Sequence, residues 1–202
     1  LALILFTDRA AGGVVINEIH YNPDIKTERV EFIELHNDAL TATNLAGWQF
    51  TAGVQYTFPS NTVIAAGGYL VVAEKPSALV TKFSFAGALG PYSGGFSKYG
   101  EKITLQDAAG TTQDEVNYQL GFPWPTVGDT PGKSIELIHP SLDNDLGGSW
   151  RSAAPSPGRV NTVQATNAPP QIRQVEHQPE APTAHRRRQW AQGLRQLMAA
   201  HQ

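Results

Sequence analysis

The chain has 202 residues, no cysteine and a formal charge of −3, with 19 glycines, 14 prolines and 16% charged residues. That length suits one ordinary domain with tails, and the lack of cysteine removes any disulfide frame, thiolate metal site or thiol nucleophile. The charge is uneven: residues 185–202 hold Arg186, Arg187, Arg188 and Arg195 and no acid, leaving 11 basic against 18 acidic residues elsewhere. A body that acidic lacks the clustered Lys and Arg that grip a phosphate backbone, so nucleic acid is not an expected partner.

No apolar run reaches the ~18 residues that span a bilayer. Leu1-Ala2-Leu3-Ile4-Leu5-Phe6 before Ala10-Ala11-Gly12-Gly13 reads equally as a signal-peptide remnant over 1–12 or as a short edge strand. The start without Met suggests a fragment. Strand one is expected over 14–21 and is broken by Asn22-Pro23-Asp24, since Pro cannot donate to a sheet ladder. Simple alternation puts Ile16 on one face with Glu18 and His20, and Asn17, Ile19 and Tyr21 on the other. Strand two, 30–37, has Ile33 and Leu35 on one face and Phe32, Glu34 and His36 on the other. Leu45-Ala46-Gly47-Trp48 supplies a turn and a large apolar anchor.

Short strands follow near 48–51 and 54–58, and Tyr69-Leu70-Val71-Val72-Ala73 is apolar enough to be covered on both faces. Pro76 to Val80 suggests a single helical turn. From Gly87 to Gly100 glycines and Pro91 impose a loop carrying Tyr92, Phe96 and Tyr99. That makes it the most binding-like loop of the chain, although the same rings could cap the open end of a sandwich. Lys102–Gln106 and Thr112–Tyr118 form a hairpin, Gly121-Phe122-Pro123-Trp124-Pro125 is rigid and aromatic, and 134–138 is the last expected strand. Residues 140–161 read as a loop-rich closure in which Trp150 covers one edge of the core. Many short strands with almost no helical period define an all-β, immunoglobulin-like antiparallel β-sandwich. Ile33, Leu35, Val72, Ile103, Leu105 and Leu137 are expected to meet between its sheets.

Several of these residues carry a resemblance. "INEIHYNP", "EFIELHN", "NLAGWQF" and "FPSNTVIAAGGYLVVA", then Ser134-Ile135-Glu136-Leu137, Asp143-Asn144-Asp145, Ser149-Trp150-Arg151 and Ser156-Pro157-Gly158-Arg159-Val160-Asn161, resemble the lamin-tail domain family of the secreted bacterial kind over 13–162. Residues 163–183 read as a Pro-rich linker whose "PPQIRQVEHQPEAP" resembles the start of a further immunoglobulin-like domain. Residues 184–202 switch to a basic amphipathic pattern with Trp190, Leu194 and Leu197 on one face. That tail suits a membrane surface or is non-native, and it is expected to be disordered or helical. Deleting 163–202 is expected to leave the thermal midpoint nearly unchanged.

Motifs for chemistry are sparse. Gly128-Asp129-Thr130-Pro131-Gly132-Lys133-Ser134 has three residues between its glycines where a phosphate loop needs four, and it opens a strand rather than a helix. The expected role is a turn with Gly132 at positive φ. His20, His36, Glu18 and Glu34 could approach one another as zinc ligands, but cross-strand polar pairs on a half-exposed face, with the glutamates bonded to nearby loop backbone, are the simpler reading. Asp143-Asn144-Asp145 with Asp129 offers oxygens of the type calcium takes, or merely an Asp/Asn turn. No cofactor and no catalytic residue is assigned. The candidate ligand-facing residues are Tyr92, Phe96, Tyr99 and Trp124; a surface carbohydrate binder built on Trp124, Tyr92 and Tyr99 would need those rings coplanar and exposed.

The resemblance implies a non-catalytic binding or tethering module, extracellular or on a cell surface, with a protein or surface polymer as partner. The alternative is a truncated piece of a secreted multidomain enzyme, such as a spore coat H-like kinase or a nuclease, with its catalytic domain elsewhere.

Overall fold

Two five-stranded antiparallel sheets face each other in a computed structural model that describes residues 12–125 and 131–166. The elements run β1 Val14–His20, β2 Phe32–Asn37, β3 Thr43–Asn44, β4 Gln49–Ala52, β5 Val54–Thr57, β6 Val63–Ile64, β7 Tyr69–Ala73, α1 Pro76–Phe83, β8 Ser93–Gly94, β9 Gly100–Gln106, β10 Thr112–Gln119, β11 Ser134–Leu137 and β12 Trp150–Ala153. The first sheet has the order β12-β11-β1-β2-β7 and the second β10-β9-β4-β5-β8, with β3 and β6 as a separate ribbon. The expected tail over 184–202 and most of the expected linker lie outside the described residues.

The main core lies between the sheets. Ile33, Leu35, Val72, Ile103, Leu105 and Leu137 all belong to it, at 0–1% exposure, and Trp48 packs at its margin. The all-β sandwich expected from the strand pattern is the fold. The phase of β1 differs from simple alternation, however. Ile16 joins Ile19 and Tyr21 in the core, while Glu18 lies opposite Glu34 on the other side of the sheet. A β-bulge between Ile16 and Glu18 inserts Asn17 as an extra residue, and one extra residue reverses every side chain beyond it.

The outer face of the first sheet is also covered, so β1 and β2 are buried along their whole length. One half is covered by α1: Leu79 packs with Val30, Phe32, Val71 and Ala73, and Phe83 and Phe85 lean on the same cluster. The two-faced cover expected for Tyr69–Ala73 is found, with Val72 inward and Val71 and Ala73 outward. The helix is two turns rather than one. It ends at Ser84 in the left-handed region (φ 56), where the Ser84 and Phe85 amides donate to Val80 O and Leu79 O. Glycine takes that conformation at lower cost, so Ser84→Gly should raise stability by about 1 kcal/mol in urea unfolding; no gain would mean that the serine is not strained.

Four strands escaped the sequence pattern. β3, β6 and β8 are two residues long and show no period. β12 lies within the expected closure loop, where Trp150-Arg151-Ser152-Ala153 pairs edge-on with β11. Trp150, on this edge strand, is fully buried in the main core, and its indole N–H donates to Asn144 O at 2.8 Å.

Candidate functional site

The densest group of chemically capable side chains is a row of glutamates. Glu18 on β1 stands in register with Glu34 on β2 and with Glu136 on β11. Three adjacent strands thus place three carboxylates side by side, each at 0% exposure. A half-exposed face was expected for Glu18 and Glu34. Instead, residues 154–165 cross the face as a strap, and Glu136, which the pattern did not single out, completes the row.

The strap supplies the donors. The Ser156 amide donates to Glu18 Oε1 at 3.0 Å, and the Ser156 hydroxyl lies 3.1 Å from Glu18 Oε2 and 2.9 Å from Glu136 Oε1. The Gly158 amide donates to Glu34 Oε2 at 2.6 Å, and Asn17 Nδ2 donates to Glu34 Oε1 at 2.9 Å. Thr162 Oγ1 and the Val163 amide both donate to Glu136 Oε2, at 3.0 and 3.2 Å. This bears out the expected bonding of Glu18 and Glu34 to loop backbone. The Ala165 amide donates to Ile138 O at 2.9 Å. The closing segment therefore runs three residues past 162, and a cut at 163 removes bonds that the expectation of an unchanged midpoint did not count.

The electrostatics follow from burial. Desolvation, then the neighbouring Glu18 charge, push Glu34 up to about 9. Desolvation pushes Glu18 up to about 7, against hydrogen bonds from Ser134 and Ser156 that favour its charged form. Geometry agrees with a retained proton. The Ser156 hydroxyl has one hydrogen and two carboxylate neighbours, so a protonated Glu18 can donate to Ser156 Oγ while Ser156 donates to Glu136.

Two asparagines and an aspartate fix the bulge beneath the row. Asn161 Nδ2 donates to Asn17 O and Leu137 O at 3.0 and 2.9 Å, and Asn161 Oδ1 accepts from Asn17 Nδ2 at 3.0 Å. From the second sheet, Asp114 Oδ2 accepts the Ile16 amide at 2.6 Å and Asn144 Nδ2 at 2.8 Å. Gly158 is fitted twice over: its φ is +77, and a Cβ would lie 2.1 Å from the Phe85 ring. Gly158→Ala should therefore cost about 2 kcal/mol by chemical denaturation; a neutral result would show that the strap and the helix end pack loosely.

The other expected residues separate. His20 lies between Phe32 and Phe83, with Nδ1 3.3 Å from Ser134 Oγ, and burial lowers its pKa to about 4. His36 stacks on Tyr69, and burial lowers its pKa also. Among the described residues no group of His, Asp and Glu is arranged to hold a metal ion. Asp143 Oδ1 accepts the Asp145 amide, Asp145 Oδ1 accepts the Asn117 amide, and Asn144 is committed to Asp114; Asp129 lies outside the described residues. Gly132 takes φ +86 in the turn before β11, as expected. Tyr92, Phe96 and Trp124 are core side chains at 4%, 8% and 7% exposure, with Trp124 stacked on Trp150. The carbohydrate reading needed Tyr92 and Trp124 exposed. Of the four candidate rings only Tyr99, 71% exposed, is open to a ligand.

Two antiparallel sheets with a strapped outer face define an immunoglobulin-like domain. The family model of the lamin tail domain matches residues 7–119, more than half of the chain, and the chain belongs to that family. The family is a non-catalytic immunoglobulin-like fold. β11, β12 and the strap lie beyond the matched residues, yet β11 is the direct neighbour of β1 in the first sheet. No curated protein matches the chain.

Proposed function

We propose that this chain is a non-catalytic binding or tethering module of a bacterial protein that is secreted or displayed at the cell surface, with a protein or a surface polymer as its partner. The observation that carries this reading is the fate of the glutamate row. Carboxylates with strongly raised pKa values usually suggest acid–base chemistry, but here they lie beneath residues 154–165 and accept hydrogen bonds from the chain itself. Their role is to hold the strap down. The acidic body argues against nucleic acid, and calcium has no place in the reading. The purified full chain should sediment with intact bacterial cells or isolated envelopes and should turn over no hydrolase, kinase or nuclease substrate. Turnover, or complete absence from the envelope pellet, would refute the proposal.

A further inference from the structure

One end of the sandwich carries a cleft apart from the glutamate row. It lies where β1 exits through Tyr21-Asn22-Pro23, where residues 28–31 lead into β2, and where residues 95–98 lead into β9, and its volume is about 310 Å3. That is the low end of the range, roughly 300–1,000 Å3, in which small-molecule pockets fall. Tyr21 and Phe96 give it aromatic lining. Its charged residues balance: Lys26, Arg29 and Lys98 against Glu28, Glu31 and Glu74.

These charges are already engaged with the protein. Arg29 Nε meets Glu74 Oε1 at 2.5 Å, and Lys82 meets Glu28 at 2.7 Å. Glu31 Oε2 accepts the Phe96 amide at 3.0 Å, and Lys26 donates to Asn22 Oδ1 and Pro23 O. A cleft so balanced has no net charge with which to select an anion or a cation. What it offers is hydrogen bonding of both senses beside ring surface. Tyr99 follows Lys98, a residue of the cleft wall, in the chain; it is 71% exposed, and Lys98 Nζ lies 5.0 Å from its ring centroid. The loop is held in place, since the Tyr99 amide donates to Ser97 Oγ and Glu101 accepts from the Ser97 amide and the Tyr118 hydroxyl.

Hydroxyls that both donate and accept, around an apolar C–H face, are the chemistry of an uncharged sugar ring. We propose that this cleft binds a neutral saccharide, with Tyr99 as the stacking surface and the paired Arg29, Glu74 and Glu31 groups as hydrogen-bond partners of its hydroxyls. The proposal rests on the tethering reading and names the surface polymer as a neutral glycan.

The test is calorimetric titration of the purified full chain with cello-, xylo-, malto- and chito-oligosaccharides. At least one series should bind, with affinity insensitive to salt. Tyr99→Ala should weaken that binding about 10-fold; Tyr99 is exposed, so the fold should survive. Leu40→Ala should have no effect, because Leu40 is 98% exposed and follows the opposite end of β2. Binding unaffected by Tyr99→Ala, or binding confined to charged sugars or free amino acids, would overturn the cleft. Envelope binding without any oligosaccharide binding would also overturn it and leave tethering standing. Loss of both would overturn both.

Discussion

Replacing Asn161 by Ala is expected to destabilise the protein by about 4 kcal/mol. Asn161 is 3% exposed and donates to two backbone carbonyls, Asn17 O and Leu137 O, while accepting from the Asn17 side chain. Alanine leaves the two carbonyls without this donor and leaves the Asn17 amide with only Glu34 as acceptor, and each buried polar group without a partner costs roughly 1–3 kcal/mol. Asn17 is also the extra residue of the bulge and a donor to Glu34, so its release loosens the glutamate row. Domains of this kind have a total stability of only about 5–15 kcal/mol, which makes the loss easy to read in urea unfolding at constant m-value. A change below about 1 kcal/mol would mean that water replaces the strap without penalty, and that the strap is a surface loop. Asn161→Asp tests the same point without changing size. It keeps the acceptor and loses both donors, and it should be at least as damaging.

Stability should fall by about 3 kcal/mol between pH 6.5 and pH 9. Glu34 and Glu18 are held up to about 9 and about 7 in the folded protein, against 4.5 for a free glutamate. Between the unfolded and folded values the native state binds more protons than the unfolded chain, so stability declines as pH rises through that window. Most of the decline above pH 7 comes from Glu34. His20 acts in the opposite sense: its folded value of about 4 lies below the ordinary 6.5, so it costs stability as pH falls from 6.5 towards 4. His36 shifts in the same direction as His20. The two effects place the maximum near neutrality or slightly below. Burial raises Tyr56, Tyr69, Tyr92 and Tyr118, so tyrosine ionisation stays outside the window. Unfolding free energies at pH 6.5, 7.5 and 9 measure the slope. In Glu34→Gln, which cannot ionise, the protein should be weaker than the parent at pH 6.5 and the gap should narrow by pH 9. A parallel decline in both proteins would assign the pH dependence to other groups.

Much of the fold could be read from short patterns. Ile33 and Leu35 at period two, the apolar run at Tyr69–Ala73 and the Ile103–Leu105 alternation each mark a core face, because strand side chains alternate whatever the partner strand is. The same rule misplaced Ile16, since a bulge adds one residue that alternation cannot foresee. Glu136 could have been found: it lies between Ile135 and Leu137, two residues of the main core, so it had to face outward beside β1. Nothing in the sequence around Ser156, Gly158 and Asn161 indicates that they cross back over strands more than 100 residues earlier. Tyr92, Phe96 and Trp124 look like ligand residues in a glycine- and proline-rich setting, and only packing shows that they fill the core.

By itself, then, the amino-acid order determined the class of fold, most strand positions, the turn at Gly132 and the acidic character of the body. These depend on local alternation, on turn chemistry and on charge, which are properties of neighbours along the chain. The tertiary structure alone decided that three glutamates share one dry row, that a distant segment supplies their donors, and that the tyrosine next to a wall residue of a balanced cleft is exposed. Burial and hydrogen-bond partnership depend on which strands lie side by side, and the order β12-β11-β1-β2-β7 brings together residues from both ends of the domain.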